Sequence, residues 1–477
     1  MEGKDGGCVE NLKDFIVETP VEGTLLTKKG DGWMKLNTVC PSLERLAING
    51  GTVQCVACDR PAQTVEFISG TLYENTGSSY AIHVPEGGSG TWSLANRSTY
   101  NNKITGEGTL TIYCAVEHGN GWFATRTPVA VNLSLFTGTI NATADMADSY
   151  PRFTLNTSSG MPDGTLNITA GVTVQNTGRT FRIGKLAGKG TLGGYASFAN
   201  DGATGVNTWQ VGCDDDFAWA GTVTANSKFE KVGSGKMTVS GVWDNTGEVA
   251  VKEGTLCLND RSAENAMLGS GELSVEDGAV LCGMGKLGNA SVTVERGGRL
   301  YSGTREGASS GTLDFSGKRL TVSTGGEVLF NVASKVRCTT LEGISSFSLR
   351  GTLKVSVREG LELEAGDEFQ LWVANRTALS SACTLDLDSP GEGLEWDTSA
   401  LENGILKVKT ATGITGVVSG EPVDCVVYTL DGARAGSFTC MPSEVGEYME
   451  RNGFRSGMYM VKMTQGQRTE SRKVTVD

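Results

Sequence analysis

The sequence predicts an all-β protein, a parallel right-handed β-helix (solenoid) followed by a small antiparallel β-sandwich. Three observations carry this expectation. A phrase made of a β-branched residue, two polar residues and glycine recurs as Val251-Lys252-Glu253-Gly254, Val275-Glu276-Asp277-Gly278, Val294-Glu295-Arg296-Gly297 and Val322-Ser323-Thr324-Gly325. The two central copies lie 19 residues apart, and Leu273 matches Val292 and Leu281 matches Leu300 at the same offset, a period that marks solenoid repeats. Apolar runs are short, alternate with polar positions and end at glycine, asparagine or aspartate, which is the chemistry of strands and corners.

Taken in order, residues 1–23 read as an N-terminal segment or cap, and its lack of an apolar signal-peptide core means either an internal protein or a missing true start. Residues 24–410 read as the β-helix. From Thr24 to Cys55, polar and apolar residues alternate between glycine corners at Gly30, Gly32 and Gly50. The corner phrase returns as Val84-Pro85-Glu86-Gly87, and GEGTLTIY at 106–113 places Leu110 and Ile112 on one face. Residues 114–165 carry polar and aromatic insertions, which in a solenoid map to loops leaving the stack. The phrase resumes at Ile168-Thr169-Ala170-Gly171 and ends near Val357-Arg358-Glu359-Gly360. Composition shifts at 411, so 411–477 reads as a separate antiparallel unit, with strands VDCVVYTL and MYMVKM and a hairpin turn at Asp431-Gly432. From residue 451 onward, Arg451, Arg455, Lys462, Arg468, Arg472 and Lys473 stand against Glu470 and Asp477, a basic segment that suits either a docking face or a charged strand edge.

The 477 residues carry a formal charge of -13 with 66 glycines, 10 prolines and 38% hydrophobic residues. That is too apolar for a disordered chain and lacks the G-X-Y period of collagen. The acidic balance opposes nucleic acid and anionic bilayers as partners. No apolar run reaches the roughly 18 residues of a membrane span. Twelve cysteines are spread singly apart from Cys55-Val56-Ala57-Cys58. A zinc ribbon needs a second such pair and a redox CxxC needs a βαβ context, so structural cysteines are expected.

Motifs with chemical meaning lack their contexts. Gly307-Ala308-Ser309-Ser310-Gly311 matches a nucleophile elbow, but a strand and not a helix is expected after it. Gly233-Ser234-Gly235-Lys236 lacks the first glycine and the hydroxyl of a phosphate loop, with Glu230 and Met237 in those places. His83 and His118 have no metal-ligand partner at strand or helix spacing. Asp214-Asp215-Asp216 offers hard oxygen ligands for calcium, as in lyases, or a solvated loop. Trp92, Tyr100, Trp122, Phe123 and Tyr150 are candidates for a sugar-stacking platform or for loop packing. No catalytic, cofactor-binding or metal-binding residue and no cofactor is expected.

FEKVGSGKMTVSGVWDNTGEVAVKEGTLCLND at 229–260 resembles the autotransporter-associated β-strand repeat, whose pattern runs lysine, glycine-x-glycine, alternating strand, glycine, then Gly-Thr-Leu. Residues 25–55 resemble a second copy, with Gly30-Asp31-Gly32-Trp33 and Gly51-Thr52-Val53 in the same places. The lead-ins FAWAGTV and FTGTI and the closing phrases GDEFQLWVA and GLEWDTSALENGILKV are similar to those of the same family. The tail resembles the C-terminal sorting domain of type IX secretion through Val427-Tyr428-Thr429-Leu430-Asp431-Gly432 and Gly457-Met458-Tyr459-Met460-Val461-Lys462, with MPSEVGEYMERNGF inserted at 441–454. These resemblances imply a secreted or surface β-helix of adhesin-like or stalk role. Its partners would be the export machinery, through the C-terminal domain, and environmental or host glycans or surface proteins. A carbohydrate-active protein is the alternative, as a lyase-like β-helix or as the accessory part of a glycan-degrading enzyme.

Overall fold

The computed structural model describes residues 6–74, 77–94, 100–114, 128–144, 152–155, 157–176, 178–194, 206–224, 227–259, 268–411, 420–466 and 468–476. Helical structure among them is confined to Val445–Arg451 and a single turn at Leu401–Asn403. The chain divides into two compact units, the second comprising Glu359–Phe369, Asp388–Leu401 and Leu406–Asp477.

The first unit is a parallel β-solenoid. Pairing begins with Gly7–Glu10 on Gly23–Lys29 and continues to Thr352–Val357 on Thr384–Leu387. The repeat offset seen in the sequence is the pairing register itself, since Leu273 faces Val292 and Leu281 faces Leu300. Inward positions stack into ladders, because parallel neighbours at the same register point the same way. One ladder runs Trp209, Phe229, Val249, Leu273, Val292, Leu320, Phe347, and all seven are buried. Each such side chain contributes about 1.5–3 kcal/mol on burial, set against the entropy of ordering it.

Corners are glycine-dependent where the phrase predicts. Gly278 and Gly297 have φ of 73° and 75°, the left-handed region that other residues reach only with strain. Stacked corners extend the ladder: Gly278 donates its N–H to Gly297 O at 3.1 Å, and Gly297 donates to Gly325 O at 2.9 Å.

Before Gly23, Gly7–Glu10 and Phe15–Val17 already pair in parallel with the coil that follows. At the other end the parallel pairing stops at Leu387 and not at 410. Leu394–Asp397 pairs antiparallel with Ile405–Thr410, since the short connection through the Leu401–Asn403 turn reverses the chain, whereas a parallel return needs a long crossover.

The second unit contains an antiparallel four-stranded sheet in the order Arg434–Cys440, Val423–Thr429, Gly457–Gln465, Arg468–Val476. The hairpin at Asp431-Gly432 forms as expected, with Gly432 at φ 88°. Val423, Cys425, Val427, Tyr459, Val461 and Met463 share the buried face. Its cover is a helix: the inserted segment forms Val445–Arg451 and sets Val445 and Met449 into that core. Tyr448 stacks on Phe438 with ring centroids 4.4 Å apart. The basic segment is partly neutralised by its own unit, since Arg451 pairs with Glu447, Arg468 with Glu392 and Arg472 with Glu470.

Candidate functional site

The residues singled out in the sequence are mostly engaged in holding one coil to the next. Asp214 Oδ1 accepts from Ser234 Oγ at 2.8 Å, Asp215 Oδ2 meets Lys185 Nζ at 2.6 Å, and Asp216 Oδ1 accepts from the Lys236 amide at 2.8 Å. The triplet therefore serves three different partners, two of them in the Gly233-Ser234-Gly235-Lys236 turn of the next coil. That turn is a corner, and its lysine donates to Thr304 O at 2.7 Å. Ser309 is exposed in the connection before the strand Thr312–Val322. Among the described residues no group of three or more His, Cys, Asp or Glu is arranged to hold a metal ion. Of the two readings, packing holds for Trp92 and Tyr100: both are fully buried, edge to face at 5.4 Å, Trp92 on the strand Ser89–Leu94 and Tyr100 in a bridge to Ser78. His118, Trp122, Phe123 and Tyr150 lie outside the described residues.

A polar cluster lies inside the stack, around a residue that the sequence reading did not single out. Glu74 lies in an inward ladder of Leu36, Cys55, Glu74 and Leu94 and is 0% exposed. Its Oε2 accepts from Trp92 Nε1 at 2.7 Å and Ser78 Oγ at 3.0 Å, while Tyr100 Oη donates to its carbonyl at 3.3 Å. Burial pushes its carboxyl up to about 7, against those stabilising hydrogen bonds. Cys55 and Cys58 share a hydrogen bond beside it, and burial with that bond holds Cys55 well above its ordinary range. A legible signal existed: in Thr71-Leu72-Tyr73-Glu74, period two places Glu74 on the face of Leu72.

Two open clefts lie on the outer faces of the solenoid. A groove of about 670 Å³ is lined by residues including Arg45, Thr64, Ala81, His83, Lys103 and Thr105. It follows the outward columns Arg45–Thr64–Ala81–Lys103 and Glu66–His83–Thr105 across successive coils. Arg45 pairs with Glu66 at 3.3 Å and His83 Nδ1 lies 3.1 Å from Thr105 Oγ1. The second cleft, about 430 Å³, is crossed by the column Lys286, Asp314, Glu342. Asp314 and Glu342 are in-register neighbours on adjacent strands, whose backbones stand ~4.8 Å apart. Glu342 is exposed to water, unlike the general acid of a glycosidase, which sits in an apolar pocket. Mixed charge on an open, coil-spaced surface suits hydrogen bonding to an extended polar chain.

No protein-family model matches this chain. No curated protein matches it either.

Proposed function

We propose that this chain is a non-catalytic β-helical passenger, secreted or displayed at the cell surface, with an adhesin-like or stalk role and with its C-terminal unit as the export signal. The observation that carries this reading is the commitment of its chemically potent groups to coil-to-coil contacts: Asp214, Asp215 and Asp216 are all used to seat neighbouring coils, and Glu74 is sealed in the core. The outer grooves supply the surface for glycans or surface proteins. No described helix is long and apolar enough to cross a membrane.

Two experiments test the parts separately. Secretion is read by expressing the chain behind an inner-membrane signal sequence, with and without residues 413–477, in a host possessing type IX secretion. Periplasmic retention of the truncated form, with a protease-resistant solenoid, is expected, and equal surface delivery of both forms refutes the export role. The alternative, a carbohydrate-active protein, draws on the two acidic side chains, Asp314 and Glu342, that stand side by side along one open cleft. It takes over if the purified chain cleaves an acidic or neutral glycan and Glu342→Gln abolishes that cleavage.

A further inference from the structure

Cys257 and Cys282 occupy the same register position on adjacent coils. Parallel partners lie ~4.8 Å apart, inside the Cα separation of about 4.4–6.8 Å that a disulfide spans, and their side chains leave the sheet on one side. They belong to an outward column that continues to Tyr301, yet both are 0% exposed. The segment Ser302–Ser310 explains the burial, because it folds back over them. Gly303 N donates to Gly283 O at 2.7 Å, Lys236 Nζ and Cys257 Sγ both donate to Thr304 O, at 2.7 and 3.8 Å, and Asn331 Nδ2 donates to Ala308 O at 2.9 Å. The two thiols sit close enough to perturb each other, which lowers Cys257 and raises Cys282. Other neighbouring thiols differ in geometry: Cys55 ends the strand Leu43–Cys55 three residues before Cys58, with Cys40 close to both, and Cys425 faces Phe438 and not Cys440.

We propose that Cys257 and Cys282 are a modification site, closing a coil-to-coil disulfide before Ser302–Ser310 settles over them. The oxidant is a small-molecule disulfide or a disulfide-bearing oxidoreductase. The Cys257 thiolate attacks the incoming disulfide and expels one thiolate. Cys282 then gives up its proton and attacks the mixed disulfide at Cys257, forming the Sγ–Sγ bond and releasing the second thiol. Two protein thiols lose two hydrogens, and one disulfide becomes two thiols.

The test refolds the reduced full chain with oxidised glutathione, alkylates remaining thiols after denaturation, and maps peptides by mass spectrometry. A peptide pair linked through Cys257 and Cys282, absent in Cys257→Ser, is expected in most molecules. Separate alkylation of both cysteines in protein with a native β circular-dichroism spectrum overturns the proposal, as does linkage of either to another cysteine. Should refolding fail, the chain exported to an oxidising periplasm is mapped directly, with the same two outcomes decisive.

Discussion

Lys28 and Lys231 occupy equivalent positions in two distant coils and make the same three bonds. Each ammonium donates to the carbonyls one and two residues onward, and to a third 22 residues onward on the next coil: Lys29, Gly30 and Gly50 for the first, Val232, Gly233 and Glu253 for the second. Both stand in inward ladders, Lys28 between Val9 and Ile48, and Lys231 between Val211 and Val251. Burial lowers Lys231 to about 8, so it stays charged at neutral pH and serves all three acceptors. The likeness of residues 25–55 to 229–260 is thus a shared structural device, a lysine that ties a glycine corner to the coil stacked on it.

Replacing Lys231 with Met keeps the apolar stem and leaves three carbonyls without their donor. Unsatisfied buried acceptors cost about 1–3 kcal/mol each before relaxation, so a loss of about 3 kcal/mol is expected. A lowered urea midpoint checks it, and Lys28→Met should behave alike.

Glu74 gives the fold an acid preference. Its carboxyl is pushed up to about 7 when folded, above the ordinary 4.5 it has in the unfolded chain. Between those values the folded state therefore holds the extra proton. Stability is fully present below pH 4.5 and falls as pH rises through 7, by about 3 kcal/mol at 1.36 kcal/mol per pKa unit. Thermal melts at pH 5 and pH 8 should show the difference, and Glu74→Gln should remove most of it.

Val275 and Val294 are fully buried partners in one ladder. Substituting Asp at either places an uncompensated charge among valines, with an expected loss of at least about 3 kcal/mol. Because solenoid coils lean on their neighbours, hydrogen exchange should rise first in the strands Val249–Val251 through Thr312–Val322.

Corner glycines should divide into two classes. At Gly278 a Cβ would meet nothing within 4 Å, so Gly278→Ala costs only the left-handed conformation, about 1–2 kcal/mol. At Gly254 the same Cβ would lie 2.5–2.6 Å from the carbonyl oxygens of Gly233, Gly235 and Ser234. Gly254→Ala should therefore lower the urea midpoint clearly more than Gly278→Ala.

The sequence by itself determined the solenoid, because corner φ and ladder register are local consequences of glycine placement and a repeated spacing: Gly278 and Gly297 turn where the phrase says, and Leu273 meets Val292. It also determined the small antiparallel unit, through alternation around Asp431-Gly432. Tertiary structure decided which polar residues are spent inside. Lys28, Lys231 and Glu74 read locally as charged residues with no assigned work, and the coil stacked above supplies the third carbonyl for each lysine and the indole for Glu74 that complete their burial. The same holds for Cys257 and Cys282, whose burial depends on a segment that arrives from the connection after Tyr301. Long-range partners of that kind leave no period in the sequence, since each is a single contact and not a repeat.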